Sequence, residues 1–294
     1  MDIQANRTMT IPKKLKSEQR KLTLKRFLSN RLAMTGFIVI VIITILGLLA
    51  PIISPYSPLE MNPEERLIPP SGEHLMGTDN FGRDIFTRTL YGIRASLIVG
   101  LLVALFSNIF GTIIGLYAAY YKTLDHILMR ICDGLLSFPA ILLAIAIVAS
   151  LGPKTSNVIV ALSIVFTPTI ARIIRSAALV VREQTYIEAM ISMGASSFRI
   201  IWLHIFPNVV SPLIVQSTFV FALTIIVEAA LSFIGAGVPA PAASLGNILF
   251  DGKNVLQIAW WVSVFPGLAV ILIVMGLNVF GDGLRDVLDP HDSK

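Results

Sequence analysis

The sequence predicts an all-α fold, a polytopic membrane helix bundle, from three observations. Hydrophobic residues make up 55% of the 294 residues and charged ones 14%, where a soluble domain carries about 25% charged residues. Apolar stretches long enough to cross a hydrocarbon core of about 30 Å recur along the chain. The Lys and Arg side chains lie beside those stretches instead of forming a groove-sized patch. The net charge of +5 therefore reads as membrane topology, with no nucleic-acid partner expected. The single cysteine, Cys132, excludes an intramolecular disulfide framework and a Cys-rich metal site. It lies in an apolar run and reads as a small buried hydrophobe.

Residues 1–31 hold nine Lys/Arg against Asp2 and Glu18. This basic tail is expected on the cytoplasmic face, against anionic membrane lipid. The first apolar run is too long for the h-region of a cleavable signal peptide. Residues 32–53 are 22 positions without a charge and form the first span. Pro51, Pro55 and Pro58 lead into an outer loop of about forty residues that contains His74, Gly77, Thr78, Asp79, Gly82, Arg83 and Asp84. Two Gly-containing turns there can hold Asp79 and Asp84 near Arg83 and Arg88 in a compact charged knot. A catalytic reading of His74 with Asp79 has no nucleophile placed beside them, which favours a structural or partner-contact role.

The second span is expected at 96–119, with Gly100, Gly111 and Gly115 allowing close helix packing and Ser107 and Asn108 turned to the bundle interior. Lys122, His126 and Arg130 mark a short inner loop. The third span, 131–151, carries Asp133 near its cytoplasmic end and Pro139 inside it, where a kink is expected. The turn at 152–156 has a superficial likeness to a phosphate loop but lacks the G-x-x-x-x-G-K-[ST] spacing. The fourth span, 158–174, carries Pro168 and ends in Arg172 and Arg175.

Between spans four and five, 176–208 reads as a helix–turn–helix knuckle. Tyr186, Ile187, Met190 and Met193 recur at helical spacing over 182–193. Gly194 then supplies the positive φ of a helix stop. Ser196 can cap a second helix over 198–206, which Pro207 ends by withholding an N–H. The fifth span, 209–234, contains Glu228. An acid in a span is a functional candidate by default. Its place near the outer end equally permits a hydrogen-bonded carboxylate that positions the outer loop. That loop, 235–257, precedes a sixth span at 258–280, with Trp260 and Trp261 as interface anchors. Six spans put both termini inside: one membrane domain over 32–281 between a basic tail, 1–31, and a second tail, 282–294.

The spacing Glu188-Ala189, then Gly194, then Pro207 resembles the EAA motif of ABC-importer permeases. The ending His204-Ile205-Phe206-Pro207-Asn208 is like that of their dipeptide/oligopeptide/nickel branch. The run from His74 to Asp84 closely resembles the H-x-x-G-T-D-x-x-G-R-D signature of the same branch. Met190, His204 and Phe206 depart from the general motif, and Leu245 stands where a tryptophan is common.

The resemblance implies the type I importer fold, with the motif in the loop at about 176–208 as a cytoplasmic coupling helix that docks on a separate ATPase subunit. It implies a permease with no nucleotide-binding site and no cofactor of its own, ATP and Mg being held by two partner ATPase subunits. A second homologous permease and an extracellular substrate-binding protein complete the expected machine in a bacterial cell membrane. Di- or oligopeptides are the expected cargo, with nickel or a metal chelate as the alternative. Asp133, Pro139 and Glu228 are its pathway candidates. A stand-alone channel or ion-coupled carrier is the competing class; it normally shows charges at mid-membrane, whereas Asp133 and Glu228 lie towards the ends of their spans. A membrane enzyme is disfavoured by scattered histidines and the lack of H-E-x-x-H or G-x-S-x-G.

Overall fold

The computed structural model describes Leu22 and residues 24–288; most of the basic tail and residues 289–294 lie outside the described residues. Among the described residues there is no strand, only an isolated bridge between Thr78 and Asp84. The helices are α1 (Arg31–Leu48), α2 (Ala50–Ile53), α3 (Ile85–Tyr120), α4 (Lys122–Leu136), α5 (Ala140–Leu151), α6 (Thr155–Arg182), α7 (Thr185–Ser192), α8 (Ser197–Arg199), α9 (Phe206–Ile234), α10 (Leu245–Lys253) and α11 (Trp261–Leu288). Five of these stretches are long and apolar enough to cross a membrane: α1, α3, α6, Ser197–Ile234 and α11. A sixth crossing exists only if α4 and α5, bent by 94° at a short break, count as one.

The spans pack through small residues, as close helix approach in a bilayer requires. On α3, Gly111 faces Ile170 and Gly115 faces the carbonyl of Ala171, so α3 and α6 run side by side. Gly36 of α1 sits against Phe280 of α11, and Gly283 of α11 against Ala33. A Cβ at any of these positions would meet neighbouring atoms closer than side chains normally approach. The main core lies between α3, α5, α6, α7, residues 200–205 and α9, with Leu116, Leu162, Ile174 and Ile205 fully buried. Around it, Phe37, Leu101, Phe110, Leu142 and Ile271 point outward, as lipid-facing positions do.

Several boundaries differ from the sequence expectation. α3 starts eleven residues before 96, because Asp84 caps it by accepting the N–H of Thr87 at 2.7 Å. Its first three turns, with Arg88 and Arg94, thus belong to the folded loop region. Lys122, His126 and Arg130 lie on a helix, α4, and not in a loop. The bend expected at Pro139 is present as a full break: Pro139 occupies a 94° corner between α4 and α5, as its effect on the preceding residue favours. α5 alone, at 12 residues and about 1.5 Å per residue, is too short to cross. The final helix runs on to Leu288, so the start of the expected tail, 282–288, extends the last span.

Candidate functional site

Two candidate sites, an apolar knuckle and a charged knot, occupy opposite ends of the bundle. The knuckle end carries α7 and the turn after it. α7 closes with two crossed bonds, Ala195 N–H to Met190 O and Gly194 N–H to Ile191 O, both 3.0 Å. That pairing requires a left-handed residue after the cap, and Gly194 has φ +80°. Open space surrounds the position where its Cβ would be, so the constraint on residue 194 is conformational and not steric from within the chain. Ile187 is fully buried and Met190 packs on the main core. Tyr186 and Met193, expected on the same inward face, are exposed instead, Met193 at 77%. With Ile191, Phe198 (68%) and Leu203 they form an apolar surface beside Glu188 and Ala189, both exposed. Glu188 makes no ion pair among the described residues.

The second knuckle helix departs from expectation. Ser196 sits at the cap position of α8 but its side chain makes no capping bond. The chain then widens into a π-turn, Ile200–Ile205, and continues directly as α9. Pro207 therefore does not end a helix; it occupies the first turn of α9, where a missing N–H is tolerated. Asn208 Nδ2 donates to the carbonyl of His204 at 2.6 Å and lies 3.5 Å from the Tyr186 hydroxyl, which ties α7 to the start of α9.

Between α4 and α6, a cleft of about 530 Å³ is lined by Asp125, His126, Arg130, Asp133, Arg172 and Arg175. Arg175 donates to both carboxylate oxygens of Asp125, one contact being 2.7 Å, and Arg172 pairs with Asp133. These two cross-helix pairs could not be read from sequence, because they depend on how α4, set between the Tyr121 junction and the turn at 137–139, lies on α6.

The loop end holds the charged knot. Asp79 accepts the N–H groups of Phe81 (2.7 Å) and Arg83 (3.0 Å), and its other oxygen accepts Arg83 Nε at 2.6 Å. Arg88 Nε lies 3.8 Å from the same oxygen, and its Nη1 donates to the carbonyl of Pro58. Asp84 does not join the arginines: besides capping α3 it meets His74 Nδ1 at 2.9 Å. His74 stacks on Tyr56, and its Nε2 is 3.4 Å from Glu65. Among the described residues no serine, threonine or cysteine oxygen or sulfur is bonded to the His74 ring as a nucleophile would be; Ser71 only accepts its backbone N–H. Gly77 and Gly82 have φ +73°, and a Cβ on Gly82 would strike the carbonyl of Asn62. Thr78 accepts from the N–H of Ile68 and donates to the carbonyl of Glu65. Trp261 donates its indole N–H to the carbonyl of Thr78 at 3.1 Å, so it is a buried pin, and only Trp260, 51% exposed, has the place of an interface anchor. Asp251 of α10, which sequence reasoning passed over, takes the far side of Arg83 at 2.6 Å.

Of the pathway candidates, Asp133 borders the cleft and Pro139 forms the corner beside it. Glu228 lies elsewhere, 1% exposed between α9 and α3, with both carboxylate oxygens taken by serines.

Residues 111–293 match the family described as binding-protein-dependent transport system inner membrane components. The chain belongs to that family. Residues 18–70 also match the N-terminal transmembrane domain of oligopeptide transport permease C. This inner membrane component is 49% identical, over 92% of its length and 91% of the relative's, to a Brucella abortus protein named as a peptide transport system permease protein. It is 46% identical, over 90% and 88%, to the dipeptide transport system permease protein DppC of Alkalihalophilus pseudofirmus. A glutathione transport system permease protein of Pectobacterium atrosepticum is 41% identical over 90% of this chain and 89% of its own. A structure of the MetNI methionine ABC transporter, inward facing, matches with a TM-score of 0.58 at 20% identity, over 68% of this chain and 96% of that one. The shared feature is the fold of a type I importer permease.

Proposed function

We propose that this chain is one of two permease subunits of an ATP-driven importer that carries di- or oligopeptides across a bacterial cell membrane. The observation that carries the coupling role is the exposed apolar knuckle: Ile191, Met193, Phe198 and Leu203 lie in the open around the Gly194 turn, next to Glu188, which is exposed. A large apolar patch rimmed by charge marks a protein contact, and the occupant we assign is an ATPase subunit that holds ATP and Mg. The knuckle end then faces the cytoplasm with both termini, and the knot faces a substrate-binding protein outside. ATP-driven closure of the ATPase pair would push the knuckles together, and α9, continuous with the knuckle, would carry that movement into the bundle. The peptide cargo is supported by the relatives' names and by the match to oligopeptide permease C.

Three measurements test this. In intact cells, thiols placed by Asn62→Cys or Asn254→Cys are expected to react with an impermeant reagent, and one placed by Ser196→Cys is not; reaction at Ser196 from outside overturns the orientation. Affinity capture of the tagged chain is expected to bring ATPase subunits and a second permease, and cells lacking the chain are expected to lose uptake of labelled dipeptide. Capture of the chain alone would favour a stand-alone carrier, and loss of nickel uptake with dipeptide uptake intact would replace the cargo.

A further inference from the structure

Glu228 is the most deeply buried acid in the spans, and the import mechanism above makes no use of it. Burying a carboxylate is costly unless its oxygens are hydrogen-bonded, so where its partners lead is informative. Ser96 of α3 donates to Oε2 at 2.9 Å, and Ser232, one turn on along α9, donates to Oε1 at 2.8 Å. Ser232 Oγ in turn accepts the N–H of Val238 at 3.1 Å. The carbonyl of Val238 accepts Asn247 Nδ2 of α10 at 2.9 Å. Asp251, one turn further along α10, reaches Arg83 in the knot. A run of hydrogen bonds therefore joins the α3–α9 seam to α10, and the turn of helix from Asn247 to Asp251 carries it on to the knot. The fit around it is close. Gly237 lies against Ser232, Gly246 against the carbonyl of Ala229, and Leu245 is fully buried against Gly92. A Cβ on Gly237 or Gly246 would meet neighbouring atoms closer than side chains approach.

We infer that Glu228 is a positioning residue: through Ser96 and Ser232 it fixes segment 235–244 and helix α10 over the loop end of the α3–α9 seam, without touching cargo. The hydrogen-bonding shape of the side chain is what matters, and its charge is secondary. A glutamine can keep an acceptor towards Ser232 and turn its amide to Ser96, whose hydroxyl then accepts. An alanine releases both serines.

The test uses the full chain in membranes with Cys132→Ala and Val238→Cys, since Val238 is only 6% exposed. Glu228→Ala is expected to raise the rate at which that thiol reacts with a small methanethiosulfonate by about tenfold, a shift within what losing the two serine hydrogen bonds gives. Glu228→Gln is expected to restore the rate to within about twofold of the parent. Ser232→Ala, a milder change that cuts the same link, is expected to follow Glu228→Ala and keeps the test open should that variant fail to insert. Unchanged reactivity in Glu228→Ala or Ser232→Ala overturns the inference, as does a Glu228→Gln chain as reactive as Glu228→Ala. Dipeptide uptake is the second readout and rests on the import reading. It is expected to fall in Glu228→Ala and to persist in Glu228→Gln. Uptake lost equally in both, with the thiol still protected, would mean a charge in the pathway instead. The labelling result stands whatever the cargo proves to be.

Discussion

Gly194→Val is expected to abolish dipeptide uptake while the chain still inserts and accumulates normally. Residue 194 holds φ +80° in the turn that closes α7, a conformation that costs a non-glycine residue about 1–2 kcal/mol, more when β-branched. The open space around it lets valine be accommodated without a clash inside the chain. The strain is relieved by reshaping the turn, which displaces Met193 and Ile191 from the surface assigned to the ATPase. Glu188→Ala is expected to act in the same direction and more mildly, because a charge-assisted bond to a partner is worth about 1.5–3 kcal/mol. The measurement is uptake together with ATPase subunits retained on the purified chain. A double variant with full uptake and full retention would reduce the knuckle to an ordinary surface turn.

Asp79→Ala should give the largest loss of stability. The carboxylate is buried, satisfies two backbone N–H groups and the Arg83 guanidinium, and lies beside Arg88. Its removal leaves two buried cations facing each other, and breaking a buried pair from one side costs about 3–5 kcal/mol. Residues 54–84 are expected to become protease-sensitive and thermal unfolding of the detergent-purified chain to fall by several degrees. Asp251→Ala, at the more exposed end of the same guanidinium, should cost clearly less. Equal, small effects of the two would show that the knot contributes little.

The spans were legible because hydropathy alone marks them: 32–53 and 158–174 lie within or close to the helices found. The Gly194 turn was legible too, since it depends on a local conformation only glycine takes easily. What the sequence concealed was direction and surroundings. Arg88 and Arg94 interrupt the apolar run ahead of residue 96, yet the cap from Asp84 starts α3 at Ile85 and the knot holds Arg88. Hydropathy runs on through Phe138 and Pro139, so nothing in it announces a 94° corner. Trp261 has the composition of an interface anchor, and only the carbonyl of Thr78, 183 residues away in sequence, makes it a buried donor. The partners of Glu228 were equally hidden, since Ser96 lies 132 residues from it.

The π-turn at Ile200–Ile205 also sets an angle. Each residue advances an α-helix by about 100°, so one extra residue in a turn rotates everything before it about the axis of α9 by more than a quarter turn. The bearing of Met193 and Gly194 around the bundle is therefore written in chain length. A side-chain substitution between 200 and 205 leaves that bearing alone, whereas deleting a single residue swings the knuckle towards a different neighbour. Pro207 acts as the lock on this setting. If the preceding turn reverted to α-helical pitch, the proline would lie deep inside one long helix, at a cost of about 3 kcal/mol.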